Sequence, residues 1–218
     1  MKNNTSQKES FLNGEGDSWF NRNSLLSEID YRYWIENDPL LPLVLELPCE
    51  NNSNTKVFEV GMGQGMRLTE LKNKRNWDVS GIDPSKKAVD HVRSNQIKSE
   101  IGTAEKLPIK DNSIDILIYG FCLYLCDVND LFLISNEANR VLKKYSWIAI
   151  IDFWSSYPFS NVYFHEPTLK SYKMDRTTMF TWHPNYKIYN HKLISHNENK
   201  YTDNMQDWVS VSIIRKNG

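Results

Sequence analysis

Residues 57–65, Val-Phe-Glu-Val-Gly-Met-Gly-Gln-Gly, run a short apolar segment straight into three glycines spaced by two, Gly61, Gly63 and Gly65. Glycine lets the backbone turn sharply and lets a ligand approach where a Cβ would clash. Met66 to Lys74 read as a helix, so the loop presents its amide groups and a helix N-terminus to whatever binds there. The pattern predicts a strand–loop–helix unit that grips a nucleotide or nucleoside.

The spacing narrows the ligand. A dinucleotide fingerprint is G-x-G-x-x-G, with its third glycine packing helix against strand. That position here is Met66, and the third glycine comes one residue early, which disfavours a dinucleotide oxidoreductase. Glu59 lies inside the strand, where a buried carboxylate needs a partner. A cationic amino group on the ligand would supply one. A second strand, Trp77 to Asp83, ends on an acid 22 residues after Gly61. In nucleotide-binding α/β folds an acid so placed accepts hydrogen bonds from ribose hydroxyls. Pro84 then opens the next helix, and an N-cap role for Asp83 is the structural alternative.

An acid followed by G-x-G-x-G resembles motif I of the class I S-adenosylmethionine-dependent methyltransferases. The stretch Ile101-Gly102-Thr103-Ala104-Glu105-Lys106-Leu107-Pro108, followed by Asp111 to Asp115 and the apolar strand 116–120, is similar to the ubiquinone/menaquinone-type and other small-molecule members. Glu137 to Lys143 resembles the helix before their fifth strand. Together these motifs cover residues 56–153. The resemblance implies a Rossmann-like α/β fold: a seven-stranded, mostly parallel sheet, helices on both faces, a C-terminal antiparallel hairpin and an N-terminal helical lid. It implies S-adenosylmethionine as donor and S-adenosylhomocysteine as product. The donor-binding set it implies is Glu59, Gly61, Gly63, Gly65, Asp83, Pro84, Ala104, Glu105 and Tyr119. Thr103 stands where the family usually has Asp, and Leu142 to Ser146 replace the usual L-K-P-G-G turn, so a different loop shape is expected on the same fold.

Residues 16–23, Gly-Asp-Ser-Trp-Phe-Asn-Arg-Asn, resemble the opening of methyltransferases of nonulosonic-acid and other surface-glycan pathways. This implies a hydroxyl of a sugar or glycan precursor as acceptor, with Arg22 clamping the donor's carboxylate; an interhelical salt bridge is the alternative. Because the sulfonium is already activated, the chain's task is alignment and exclusion of water, with a base needed only for a protonated acceptor. The acceptor side should follow strands four and five. Candidates there include Phe121, Asp152, Trp154 and residues 157–189, with His165, His183 and Tyr124 as the catalytic set. The two histidines titrate near neutrality when unperturbed.

Of the 218 residues, residues 1–13 read as a disordered tail, 14–55 as the helical lid and linker, and 56–218 as the methyltransferase domain. The lid spans about 18–47, with Leu25, Leu26, Ile29, Trp34 and Ile35 near helical spacing and a turn at Asp38-Pro39. Strands are predicted at 186–196 and 208–215. A net charge of −1 gives no long-range field for a polyanion, so no nucleic-acid partner is expected. No apolar run approaches the ~20 residues of a membrane span, and no signal peptide is read. Three cysteines and no metal-ligand set suit a cytoplasmic monomer or homodimer without a metal. An RNA or protein methyltransferase, and a non-catalytic methyltransferase-like subunit, are the competing readings. The first lacks an N-P-P-Y-type clamp at 119–122, and intact Glu59, glycines and Asp83 argue against the second.

Overall fold

The computed structural model describes residues 6–24, 28–196 and 200–218. Five parallel strands form the body of the sheet: β1 (Lys56–Val60), β2 (Asp78–Asp83), β3 (Lys98–Ile101), β4 (Ile114–Gly120) and β5 (Leu142–Phe153). A small hairpin, β6 (Phe159–Val162) with β7 (Lys170–Lys173), stands apart from it. The last two strands, β8 (Tyr186–Ser195) and β9 (Trp208–Lys216), close the sheet as an antiparallel hairpin, and the order is β3-β2-β1-β4-β5-β9-β8. The expected seven-stranded architecture is therefore present, with its antiparallel hairpin at the C-terminal edge.

Both faces of the central strands are apolar because helices cover both. Along β4, Ile116 and Ile118 join one core with Leu68, Leu71 and Val92, while Leu117 and Tyr119 join the other with Ile134 and Ala138. This is the two-residue alternation of a strand. The helices supplying those partners are α5 (Met66–Arg75), α6 (Lys86–Ser94) and α7 (Leu131–Val141), with the short α8 (Thr178–Thr181) beyond. Helix α7 passes into β5 without the expected loop; Tyr145 takes a positive φ of 58° inside the strand where the family has glycines.

The N-terminal segment is the main departure from expectation. Within the 1–13 stretch expected to be disordered, residues 1–5 lie outside the described residues, and Ser6 caps a helical turn α1 (Gln7–Ser10) through a capping box. A widened helical turn, kinked at Gly14, joins it to α2 (Gly16–Asn23). Gln7 is buried because its side chain donates to Leu125 O at 2.7 Å and accepts from Lys170 N at 2.7 Å. These long-range partners have no local sequence signature. Helices α3 (Glu28–Asn37) and α4 (Leu41–Leu45) follow, separated by the predicted turn at Asp38-Pro39. The expected helical spacing of Leu25, Leu26 and the Ile29 side chain lies outside the described residues. Among the described residues, no helix is long and apolar enough to cross a membrane.

Candidate active site

The site forms where β1, β2 and β4 end, beyond their carboxyl ends. Gly61 N and Met62 N both donate to Ile82 O, at 2.9 and 3.2 Å, and Gly65 N donates to Met62 O at 2.8 Å, so the loop folds back over β2. A Cβ at Gly61 would meet Cys122 Cβ at 2.6 Å, and one at Gly65 would meet Val92 at 2.8 Å. Those two glycines are required by packing. Gly63 differs: its Cβ would meet only the Trp19 ring, at 3.8 Å, and its φ of +52° is the left-handed conformation. Gly63→Val is expected to cost about 1–2 kcal/mol of backbone strain while filling ligand space. Donor affinity should fall far more than stability does, as paired calorimetric titration and thermal unfolding will show.

Asp83 holds the loop. Its Oδ2 accepts from Gly63 N at 2.9 Å and its Oδ1 from Ser85 N at 2.8 Å. The N-cap of α6 is Ser85, whose side chain accepts from Ala88 N at 3.0 Å. Burial pushes the Asp83 carboxyl up to about 6 against these two amides.

Two cavities meet at this loop. The first, beside Asp83, is lined by Pro84, Ala104, Glu105, Cys122 and Cys126, and by Lys8, Phe11 and Gly16 from the N-terminal segment. The second, about 440 Å³ and within the range of small-molecule sites, is lined by Glu59, Gly63, Arg67, Tyr124, Tyr163 and His165 with further aromatic rings. Trp19, Gly61 and Phe121 line both. Phe121 holds a φ of 50°, strained for a bulky residue, at the junction. Its ring meets Phe153 edge-on at 5.6 Å and His196 at 5.5 Å.

Glu59 is the chemical centre of the second cavity. One carboxylate oxygen is paired with the Arg67 guanidinium, whose Nε donates to Asp38 Oδ2 at 2.9 Å. The other, Oε2, is buried and has no hydrogen-bond partner. Burial raises the Glu59 carboxyl to about 7, with Arg67 pulling the other way. An orphaned buried carboxylate oxygen is costly unless a ligand cation completes it. The residues present thus fit a donor carrying an α-amino group.

Of the residues assigned to donor binding and catalysis, four line neither cavity, and the acceptor-side candidates Asp152 and Trp154 do not line them either. Gly65 is committed to Val92. Tyr119 is fully buried in the core, its ring 6.1 Å from Phe180 and its hydroxyl unpartnered. Arg22 pairs with Glu15 at 2.5 Å and donates to Tyr163 at 3.2 Å, the interhelical alternative. His183 packs on Tyr186, and its Nδ1 accepts from Asn185 N at 3.2 Å. Sequence reasoning missed Lys8, Arg67, Asp38 and His196. Arg67 had a signal: a basic side chain in the first turn of the helix that follows Glu59.

Residues 58–150 match the family model described as a methyltransferase domain. That stretch is 93 of the chain's 218 residues, and over it the chain is similar to a methyltransferase domain. An uncharacterized methyltransferase of Mycobacterium tuberculosis is 35% identical over 65 residues, 29% of this chain and 26% of that protein. The match therefore spans about a quarter of that relative's length. A methyltransferase of Haloferax volcanii, solved in complex with the Trm112 methyltransferase activator, superposes with a TM-score of 0.67 at 15% identity, covering 94% of this chain and 96% of that one. The geranyl diphosphate C-methyltransferase of Streptomyces coelicolor, solved with S-adenosyl-L-homocysteine, gives 0.61 at 10% identity over 82% of this chain and 78% of that one. At such identities these likenesses establish the fold alone.

Proposed function

We propose that this protein transfers a methyl group from S-adenosylmethionine to a small-molecule acceptor held in the second cavity. The carrying observation is Glu59 Oε2, buried, unpartnered and on the wall of that cavity. When bound, S-adenosylmethionine supplies a methyl carbon already activated by its sulfonium. Glu59 would hold the donor's amino group, Asp83 the ribose, and Ala104 with Glu105 the far end of the first cavity. The aromatic wall of Trp19, Phe121, Tyr124 and Phe153 excludes water from the transfer and favours positive charge near the reacting carbon. His165 and His196 line the second cavity, and either would take the proton of a hydroxyl or amine acceptor.

Charge narrows the acceptor. Among the described lining residues of the second cavity, the Asp, Glu, Lys and Arg side chains are Glu59 and Arg67, and these pair with one another. No basic cluster lines it to hold a phosphate backbone, which disfavours the RNA reading. The sugar or surface-glycan hydroxyl rested on the resemblance of residues 16–23, in which Asp17 accepts from Ser85 and Arg22 pairs with Glu15. The acceptor is accordingly proposed only as a small molecule. Cys49, Cys122 and Cys126 are free thiols, which supports a reducing, cytoplasmic setting.

Isothermal titration with S-adenosylmethionine and S-adenosylhomocysteine tests the donor half. Saturable heat with both is expected, and no heat with either would overturn the reading. Release of S-adenosylhomocysteine across a panel of small hydroxyl and amine compounds tests the transfer.

A further inference from the structure

Helix α2 is fastened to the donor loop through one carboxylate. Asp17 Oδ1 accepts from Ser85 Oγ at 2.6 Å and from Lys87 N at 3.0 Å. Ser85 N in turn donates to Asp83, whose other oxygen holds Gly63 N. Hydrogen bonds therefore run from the glycine loop, through Asp83 and Ser85, into α2. The contact is close as well as polar: a Cβ at Gly16 would lie 3.0 Å from Ser85 N and 3.1 Å from the Pro84 carbonyl carbon.

Two residues along, α2 carries Trp19, which lines both cavities. Lys8, Phe11 and Gly16 cover the first cavity from the same segment. At its ends the segment is held elsewhere, by Gln7 N on Asp127 at 3.0 Å, Lys8 on Asp130 at 3.1 Å and Arg22 on Tyr163. Of these fastenings, the one at Asp17 leads directly to the carboxylate assigned to the donor's ribose.

We propose that Asp17 is the latch of a lid over the donor, a positioning residue that ties lid closure to occupancy of the donor site. This rests on the donor reading above. A donor held by Asp83 would steady Ser85, the hydrogen-bond donor to Asp17, so donor binding would strengthen the closed lid. Because Trp19 belongs to the lid and to the acceptor wall, the second cavity is completed only on closure. Donor binds first and acceptor second.

The test compares the full-length protein with Asp17→Ala and Asp17→Asn. The asparagine keeps an oxygen that accepts from Ser85 Oγ and Lys87 N; the alanine does not. Asp17→Ala should bind S-adenosylhomocysteine about tenfold more weakly, the effect of losing hydrogen bonds to one charged group. Hydrogen exchange over residues 7–23 should no longer slow when that ligand is added. Asp17→Asn should restore most of both, with a ligand-free melting temperature close to that of the wild type. Wild-type affinity and wild-type protection in Asp17→Ala would overturn the latch, as would alanine and asparagine failing alike. If the wild type itself binds no S-adenosylhomocysteine, the donor reading fails. Exchange of residues 7–23 in ligand-free Asp17→Ala would then judge the latch separately, unchanged exchange refuting it.

Discussion

Arg67→Met is expected to lower stability by about 3–5 kcal/mol, the usual cost of removing one partner from a buried ion pair. Arg67 is 6% exposed and lies between Glu59 at 2% and Asp38 at 6%. Its Nε takes Asp38 and its Nη1 takes Glu59, so one planar fork serves two acids. Without it Asp38 keeps an amide, from Leu40 N at 2.9 Å, while Glu59 has no other hydrogen bond. Arg67→Lys should recover little, because an ammonium cannot reproduce two donors fixed in one plane. Urea unfolding at neutral pH measures both variants. The deficit should shrink in acid, since protonation removes the unpaired buried charges. A loss below about 1 kcal/mol, the scale of an exposed pair, would contradict a structural role for the cluster.

Glu59→Gln is expected to cost at least about thirtyfold in affinity for S-adenosylhomocysteine, the scale of truncating a buried charge pair. The amide retains an oxygen for Arg67 but not the charge that an ammonium group needs. Acidity supplies a sharper test. Burial raises the Glu59 carboxyl to about 7, so the acid is partly protonated at neutral pH. A ligand ammonium favours the ionised form, so wild-type affinity should rise with pH through about 7 and level off above it. The limiting slope below that point is about tenfold per pH unit. Asp83, raised to about 6, adds a weaker dependence of the same sign. Titrations at several pH values check this: Glu59→Gln should flatten the component near 7, and an unchanged profile would detach Glu59 from the donor.

The same groups affect folding in the opposite sense. A carboxyl whose folded pKa lies above its unfolded value binds its proton more tightly when folded, so stability falls as pH rises between the two values. Asp83 and Asp152, each raised to about 6 by burial, should make the ligand-free protein less stable at pH 7 than near pH 5. Donor binding should reduce the difference, which thermal unfolding with and without S-adenosylhomocysteine will show.

Local pattern made most of the architecture legible. It gives the strands at 57–60, 77–83 and 116–120, the resemblance over 56–153 implies the rest of the parallel sheet, and the alternating segment at 208–215 gives the closing antiparallel strand. The glycine loop and Asp83 were legible because their roles are local: a turn needs glycine, and the end of a strand points outward at the sheet's edge. Tyr119 and His183 were misplaced because residue type says nothing of which face a side chain takes. Tyr119 falls on the core face of β4, and His183 packs on Tyr186 at the start of β8.

By itself, then, the sequence determined the α/β sheet, the loop after its first strand and the acids at the ends of β1 and β2. Strand periodicity and glycine geometry act over a few residues. Only the tertiary structure decided that Lys8 and Phe11 line the first cavity, that Arg67 stands between Glu59 and Asp38, and that Trp19 lines both cavities. Those outcomes depend on groups far apart in sequence, such as Arg67 with Asp38, 29 positions apart, and Gln7 with Asp127, 120 positions apart. Burial brings such groups together to satisfy charges and hydrogen bonds that no local segment can satisfy alone.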